Sequence, residues 1–299
     1  MQTEAERILS DWSLPPLLTA ADLLLAAIYW RGWLKLRRTR PAYFTYARLG
    51  WFLTGVVCLW LAIASPLDGF ADRLLSAHMV QHFLLMSIVP PLVLLGAPVA
   101  PLLRGLPRWA VMHPVGALLR ARWLRRVVHT VTGPAFAWIS FNGLFLVWHL
   151  PAAYDLALEH EWIHECEHLC FLITALLFWN IILHPWPGRQ RVHGWIALLF
   201  LLSADIVNTA LSAFLAFCGR PIYAFYARVP NGFGISPLAD QVAAGVLMWV
   251  LNSTVFLIPA MLLAMQLAGA TSGARSKARQ PATLFPDSKN SPMATPARR

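Results

Sequence analysis

Two pairs of histidines in this sequence have the spacing that places both imidazoles on one side of an α-helix. His78 and His82 lie four residues apart, as do His164 and His168, and residues at this separation are neighbours on a helix surface. Met86 extends the first pair by one further turn. Imidazole is the commonest side-chain metal ligand, and nitrogen combined with thioether sulfur suits copper. The spacing therefore indicates a copper site, with interfacial hydrogen bonding and core packing as the alternative.

The segments that carry these residues are predicted to cross a membrane. The chain is 58% hydrophobic and only 13% charged, and its apolar residues form long blocks rather than an amphipathic period. Seven blocks reach spanning length, and they cover 14–34, 48–66, 74–100, 133–151, 165–184, 195–217 and 241–266. The predicted fold class is all-α, a polytopic membrane protein with a bundle of seven transmembrane helices. We expect an extracytoplasmic segment over 1–13, a membrane domain over 14–266 and a disordered basic cytoplasmic tail over 267–299.

The positions of the basic residues predict the orientation of the bundle. Most of the 24 Lys and Arg residues lie in the loops after the first, third and fifth blocks and in the tail. The four exceptions are Arg7, Arg73, Arg220 and Arg228. Short loops rich in Lys and Arg stay in the cytoplasm, so the N-terminus is predicted outside and the C-terminus inside. Basic loops at a membrane surface contact anionic lipid, and the net charge of +10 therefore does not indicate a nucleic-acid partner.

This topology brings most of the histidines to the outer face of the membrane. The residues expected there are His78, His82, His149, His160, His164 and His168. Many acidic side chains fall at the same level and would attract cations. On the predicted fifth helix, Glu161 and Glu165 share a face with His164 and His168, whereas Cys166 and Cys170 point largely away. Residues 160–164 and 164–168 each have the His-Glu-x-x-His order of zinc proteases, but we favour the copper interpretation and expect no enzymatic activity.

The seventh block adds polar residues at the same level. Asp240 and Gln241 open this block, and Met248 lies about two turns deeper. Asp240 fits either a metal ligand or a helix N-cap, and Gly245 would permit a close approach of two helices. Inside the first and sixth blocks, Asp22 and Asp205 mark either an ion path or polar helix packing.

Four segments resemble the multi-pass CtaG-like cytochrome c oxidase assembly factors, which are distinct from the single-span copper chaperone sometimes given the same name. These segments are HMVQHFLLMSIVPPLVLLGAP (78–98), WHLPAAYDLAL (148–158), HECEH (164–168) and SPLADQVAAGVLMW (236–249). The resemblance implies a non-enzymatic protein of the bacterial inner membrane that supports maturation of a haem-copper oxidase through copper handling. The residues at matching motif positions are His78, His82, His149, His164, His168, Asp240, Gln241 and Met248. The stretch VLNSTVF (250–256) stands where the resemblance predicts a segment containing Pro and Gly.

The leading hypothesis is therefore a copper-binding assembly factor that passes copper to a cytochrome c oxidase subunit by ligand exchange. Its predicted ligands are His78, His82, His149, His164, His168, Met86, Met248, Asp240 and Gln241. One alternative is a membrane redox protein that binds haem through axial histidines, although histidines four residues apart cannot reach opposite faces of one haem. Another is a copper or proton transporter, for which Asp205 and Asn208 would form the inner path.

Overall fold

The computed structural model describes residues 3–111, 121–183 and 193–279, with side chains described through Gly269. Within these ranges the chain is helical and contains no strand, which confirms the all-α fold class. The helices are α1 (Glu4–Asp11), α2 (Pro16–Thr39), α3 (Tyr46–Ile63), α4 (Leu67–Ala71), α5 (Leu75–Phe83), α6 (Val89–Leu95), α7 (Val99–Gly105), α8 (Arg108–Ala110), α9 (Arg122–Val131), α10 (Pro134–Trp148), α11 (Pro151–Glu159), α12 (Glu161–Leu183), α13 (Gly194–Phe217), α14 (Ala224–Arg228) and α15 (Pro237–Arg279).

The described chain has six helical segments that are long and apolar enough to cross a membrane. They are α2, α3, the combined segment Leu75–Leu95, α12, α13 and the apolar part of α15. Helices α9 and α10 qualify as a seventh span when taken together, with a bend of 64° between them. The predicted fourth block, 133–151, is longer than α10, because Pro151 begins the separate helix α11. A polytopic helical bundle is thus confirmed, and the orientation of its termini stays a prediction.

The third span contains a π-helical segment, Leu84–Ile88, between α5 and α6. Pro90 follows it and has no N–H to donate to the carbonyl four residues earlier. That carbonyl belongs to Met86, and it instead accepts a hydrogen bond of 2.9 Å from the indole N–H of Trp179. A neighbouring helix therefore satisfies the freed carbonyl, as a membrane interior requires. Such irregular turns occur often at functional sites, and this one lies one turn beyond His82.

The last helix extends further than the sequence indicates. Helix α15 continues to Arg279, whereas the seventh block is predicted to end at residue 266 and to give way to a disordered tail. Alanine recurs through residues 268–278 and has the strongest helix propensity, so the first part of the expected tail is helical. Residues 280–299 lie outside the described residues.

Glycines allow two pairs of helices to pack backbone against backbone. A Cβ atom on Gly32 of α2 would lie 1.7 Å from the carbonyl oxygen of Pro101, and one on Gly105 would lie 1.8 Å from that of Ile28. At Gly245 of α15, a Cβ would come within 2.8 Å of the Ser212 carbonyl oxygen on α13. The predicted close approach at Gly245 is therefore confirmed, and the contact between α2 and α7 is tighter still.

Alanine at Gly32 is expected to destabilise the protein by about 2 kcal/mol or more, because overpacking in a rigid contact costs about 1–3 kcal/mol and here the obstacle is backbone. Alanine at Gly50 is the matched control, since a Cβ there meets nothing within 4 Å and the change favours the helix by up to about 1 kcal/mol. Thermal unfolding in detergent measures both variants. Equal midpoints would contradict the tight contact.

The buried side chains form two hydrophobic cores. The smaller core joins α2 and α3 through Tyr29, Trp33 and Phe52, with the Tyr29 and Phe52 rings stacked 3.6 Å apart. The larger core unites residues of α5, α10, α12, α13 and α15. All of the histidines that come together in the structure lie within or beside this larger core.

Candidate metal centre

Five histidines from three parts of the chain converge on one site. His78 and His82 extend from α5, His149 follows α10, and His164 and His168 extend from α12. The ring centroids of His78 and His82 are 4.3 Å apart, those of His82 and His149 are 5.8 Å apart, and those of His82 and His168 are 5.4 Å apart. The His164 centroid lies 4.2 Å from that of His168 and 5.0 Å from that of His78. The histidines that the sequence places at one depth are therefore also lateral neighbours.

The donor atoms are close enough for direct chelation. The Nε2 atoms of His78 and His82 lie 2.8 Å apart, and imidazole binds a metal such as zinc at about 2.0–2.1 Å. Donor atoms of His78, His82 and His168 all lie within 4.8 Å of one another. The same holds for a second group, His78, His164 and Glu167. The two groups share His78.

Hydrogen bonds at the Nδ1 atoms orient the imidazoles of His149 and His78. The Nδ1–H of His149 donates to the Phe145 carbonyl oxygen at 2.7 Å, which leaves His149 Nε2 as an unprotonated donor atom. The Tyr226 hydroxyl donates to the Ala71 carbonyl oxygen at 2.7 Å and lies 3.3 Å from His78 Nδ1. Metal-binding histidines usually use their second nitrogen in this way, which fixes the tautomer.

Glu167 is a potential ligand outside the set predicted from the sequence. Its side chain is fully buried, and neither carboxylate oxygen has a hydrogen-bond partner among the described residues. The Oε1 atom lies 3.6 Å from His82 Nε2. An ionised carboxylate without hydrogen bonds is costly to bury unless a cation accompanies it. Glu167 is therefore a candidate ligand or charge partner within the histidine cluster.

The predicted ligand set lacks Glu167 because the sequence predicts a different face of α12 toward the site. The prediction centred that face on Glu161 and Glu165, and both are exposed. The buried face instead includes Glu167 and His168, with His164 partly buried. A signal was present, since residues 164, 167 and 168 have the i, i+3, i+4 spacing of one helical face.

Three buried tyrosines form one wall of the site. The Tyr154 ring lies 5.2 Å from that of His78 and 4.1 Å from that of Tyr223, measured between centroids. The Tyr223 hydroxyl donates to the His149 carbonyl oxygen at 3.2 Å. Burial raises the pKa of Tyr223 and of Tyr226, so both phenols remain protonated hydrogen-bond donors. These tyrosines are not among the site residues predicted from the sequence.

Asp155 positions the short helix that carries Tyr226. Its carboxylate accepts hydrogen bonds from the backbone N–H groups of Ala224 and Phe225, at 3.3 and 3.1 Å, at the start of α14. The first N–H groups of a helix have no partner within the helix, and a carboxylate there also interacts favourably with the helix dipole. Asp155 thus orients the helix that brings Tyr226 to His78.

Asp240 and Gln241 form hydrogen bonds with backbone groups near the cluster. Asp240 accepts hydrogen bonds from the backbone N–H groups of Leu75 and Ser76, at 2.6 and 3.2 Å, and so caps α5 from another helix. The Gln241 amide donates to the Leu215 and Arg220 carbonyl oxygens, and its Oε1 accepts from the Ile222 N–H. In the structure their polar atoms hold backbone groups, and a ligand role for these two residues stays a prediction.

Alanine at Asp240 is expected to loosen the first turn of α5, because two buried N–H groups lose their acceptor at about 1–3 kcal/mol. Hydrogen exchange at Leu75, Ser76 and His78 should become faster, and the unfolding midpoint should fall. Alanine at the exposed residue Asp11 is the control and should change neither. Unaltered exchange in the Asp240 variant would show that the cap is not needed to hold α5.

Met86 and Met248 are buried beside a polar layer formed by Ser87, Asn208 and Asn252. Met86 lines a cavity of about 20 Å³ together with Asn142, Asn208 and Asn252, which is enough space for about one water molecule. The carbonyl oxygen of Met248 accepts a hydrogen bond of 3.4 Å from Asn208. A ligand role for Met86 and Met248 stays a prediction.

The polar layer joins three spans by hydrogen bonds. The Ser87 hydroxyl donates to Asn252 Oδ1 at 2.5 Å, and the Asn252 amide donates to Asn208 Oδ1 at 3.2 Å. The Ser253 hydroxyl donates to Asp205 at 2.7 Å. These contacts involve the VLNSTVF stretch of α15 and agree with the packing interpretation of Asp205.

The remaining histidines and cysteines lie away from the cluster or outside the described residues. His160 is exposed at the turn between α11 and α12, and Cys166 is exposed on α12. His129 and His193 are also exposed. His113 and His184 lie outside the described residues.

An acidic rim, formed by Asp68, Asp72 and Glu161, lies beside the most exposed histidine of the cluster. Asp68 and Glu161 are close enough to His164 to interact with it electrostatically. Burial, together with the neighbouring Asp68, raises the pKa of Asp72 to about 6, although Arg73 opposes the shift. Asp72 is therefore largely ionised at neutral pH, and the acidic rim attracts cations toward His164.

Comparison with known protein families finds one that covers most of the chain. A family model described as cytochrome c oxidase caa3 assembly factor matches residues 27–270. Uncharacterized proteins of Mycobacterium bovis and Mycobacterium tuberculosis are each 30% identical over 258 residues, which cover 82% of this chain and 38% of each relative. A Mycobacterium leprae relative is 27% identical over 81% of this chain and 37% of its own length. The chain thus spans well under half of these relatives, and no solved structure matches it.

Proposed function

Because this chain belongs to the family of cytochrome c oxidase caa3 assembly factors, we propose that it supports oxidase maturation by binding copper and passing it to an oxidase subunit. The observation that carries the proposal is the convergence of five histidines and the buried, unpartnered Glu167 on one small site. The match to the family supports the oxidase as partner, and the donor atoms support a metal ion as cargo.

The chemistry of the donor set favours copper over other common metal ions. Neutral imidazole nitrogens suit copper, zinc, iron and nickel, whereas magnesium and calcium prefer oxygen ligands. Among divalent ions the affinity of a nitrogen site is highest for copper. One carboxylate near four or five imidazoles would also balance a single positive charge in a buried site. Exchange of ligands with a partner protein then needs no chemistry beyond breaking and forming metal–ligand bonds.

The geometry gives less support to the two alternatives. The histidine rings pack with centroids 4.2–5.8 Å apart, which leaves little space for a haem macrocycle between them. For a transporter, Asp205 would have to carry the ion inward, but its carboxylate accepts the Ser253 hydroxyl. A hydrogen-bonded contact between helices accounts for that residue.

Metal analysis of the purified full chain tests the proposal. After exposure to Cu(I), Zn(II) or neither, and exchange against a chelator, the protein should retain copper in preference to zinc. Its absorption spectrum should lack a Soret band. In cells that lack the gene, the copper content of the oxidase should fall and should recover when the chain is restored. Failure to retain copper, together with normal oxidase copper in those cells, would refute the proposal.

We also propose that α9 binds anionic lipid at the cytoplasmic surface. On a helical projection its basic residues, Arg122, Arg125 and Arg126, occupy one face, and Leu124, Val127 and Val131 occupy the opposite face, with Trp123 at the boundary between them. Trp123 is 62% exposed, and α9 bends 64° away from α10. An amphipathic helix of this kind lies in the interfacial plane, with its basic face at the headgroups.

Lipid retained by the purified chain tests this second proposal. In mixtures of phosphatidylglycerol and phosphatidylcholine, the native chain should retain phosphatidylglycerol preferentially, and replacing Arg122 and Arg126 by Gln should reduce that preference. Replacing the exposed arginines Arg31 and Arg38 by Gln removes the same charge elsewhere. An equal effect of the two double variants would refute a specific role for α9.

A further inference from the structure

We propose that the site holds a single copper ion in two successive positions. The outer position is formed by His78, His164 and Glu167, and the inner position is formed by His78, His82 and His168. This inference rests on the proposed copper-binding function and specifies how the same site is loaded. It starts from the finding that the donor atoms form two overlapping groups, each with all of its atoms within 4.8 Å of one another.

The two positions differ in their access to the outside. All three inner histidines are buried, as are His78 and Glu167 of the outer position, so the difference in access lies in His164. His164 is only partly buried and is the cluster histidine that Asp68 and Glu161 of the acidic rim approach. A cation attracted to the rim therefore meets His164 before it can reach His82 or His168. The outer position is the one suited to loading, and the inner position is suited to retention.

The shared histidine allows the ion to move between the positions without being released. The bond from copper to His78 remains, while the bonds to His164 and Glu167 break and bonds to His82 and His168 form. The oxidation state of copper does not change, and no proton transfer is needed. Because His164 and His168 are neighbours on α12, with ring centroids 4.2 Å apart, the exchange requires only a short displacement of the ion.

Glu167 and His149 lie where they would stabilise the ion in the two positions. The Glu167 Oε1 atom lies 3.6 Å from His82 Nε2, so its negative charge remains close to a cation in either position. Beyond His82, the Nε2 atom of His149 has no partner among the described residues, and the His149 ring lies 5.8 Å from that of His82. His149 therefore offers a further nitrogen on the inner side. A second ion at the same time is disfavoured, because both positions need His78.

Single substitutions at His164 and His168 separate the two positions. These residues lie one turn apart on the same helix, which makes each variant the control for the other. Transfer of Cu(I) from a coloured bicinchoninate complex to the purified full chain gives the loading rate, and competition at equilibrium gives the affinity. We expect His164→Ala to slow loading at least about tenfold while changing affinity less than about threefold. His168→Ala should lower affinity by about 10–100-fold, the range seen when supporting groups of metal sites are removed.

Two outcomes would overturn the two-position inference. One is loading by His164→Ala at the unsubstituted rate, and the other is an equal loss of affinity in both variants. X-ray absorption of the copper-loaded chain provides a second measurement, since His164→Ala should leave the number of nitrogen ligands at equilibrium unchanged. Thermal unfolding of each variant identifies any that fail to fold, and His164→Gln then replaces the alanine variant. Failure of the proposed function is seen separately, as absence of copper from the unsubstituted chain.

Discussion

Alanine at both His78 and His82 is expected to lower the affinity for copper by more than about 100-fold, since removal of a single supporting group at a metal site already costs about 10–100-fold. These two residues supply the closest pair of donor atoms, 2.8 Å apart, and His78 belongs to both donor groups. Competition with a chromophoric chelator at equilibrium measures the affinity. Oxidase copper content in cells that carry the variant should fall in parallel.

The matched control for this double substitution is alanine at His129 and His193. Both residues are exposed and lie outside the cluster, so the variant loses the same number of imidazoles without loss of a donor from the site. Its affinity should equal that of the unsubstituted chain. Similar affinities in the two double variants would mean that copper binds away from the histidine cluster.

Replacing Glu167 by Leu is expected to change metal affinity and stability in opposite directions. Removing an unpartnered buried carboxylate in favour of an apolar side chain should stabilise the metal-free protein by about 1–4 kcal/mol. Copper affinity should fall by about 10–100-fold, because the carboxylate is a ligand or a charge partner of the site. Residues placed for binding at the expense of stability behave in this way.

Thermal unfolding with and without copper measures both effects for Glu167. A ligand present at 100 times its Kd stabilises a native protein by about 2.7 kcal/mol, and this increment should be largely lost in the variant. Glu165→Leu, on the exposed side of the same helix, is the control and should retain it. A destabilised Glu167 variant with normal copper affinity would instead show that Glu167 serves to hold a protonated His82.

The membrane architecture was predictable because it follows from local composition. In lipid, each helix must satisfy its own backbone groups by internal hydrogen bonds. A long apolar block therefore predicts a span, whatever helices pack around it. The depth of a residue in the membrane also follows from its position within a block. It predicts that His78, His149 and His168 share one level, and the structure brings these residues together. The limits of the blocks were less predictable, since α15 continues to Arg279 on helix propensity rather than on hydropathy.

The identity of the residues around the site was harder to predict. The rotation of α12 about its own axis is determined by packing against other helices, and this decides that Glu167 is buried while Glu165 is exposed. Asp240 illustrates a second difficulty. A carboxylate at the outer level of a span is suited both to a metal ion and to free helix N–H groups, and only the arrangement of α5 and α15 shows that Asp240 contacts the N–H groups.

The cap that Asp240 places on α5 has a consequence for the order in which the protein becomes competent during synthesis. All five histidines of the cluster are in the chain by residue 168, yet Tyr226, which contacts His78, and Asp240, which holds the start of its helix, come much later. A nascent chain that has inserted only its first five spans therefore contains the donors without the groups that orient them. Affinity for the metal should arise late, when the final helix enters the membrane, so that an incomplete chain does not withdraw a scarce and reactive ion from the cell.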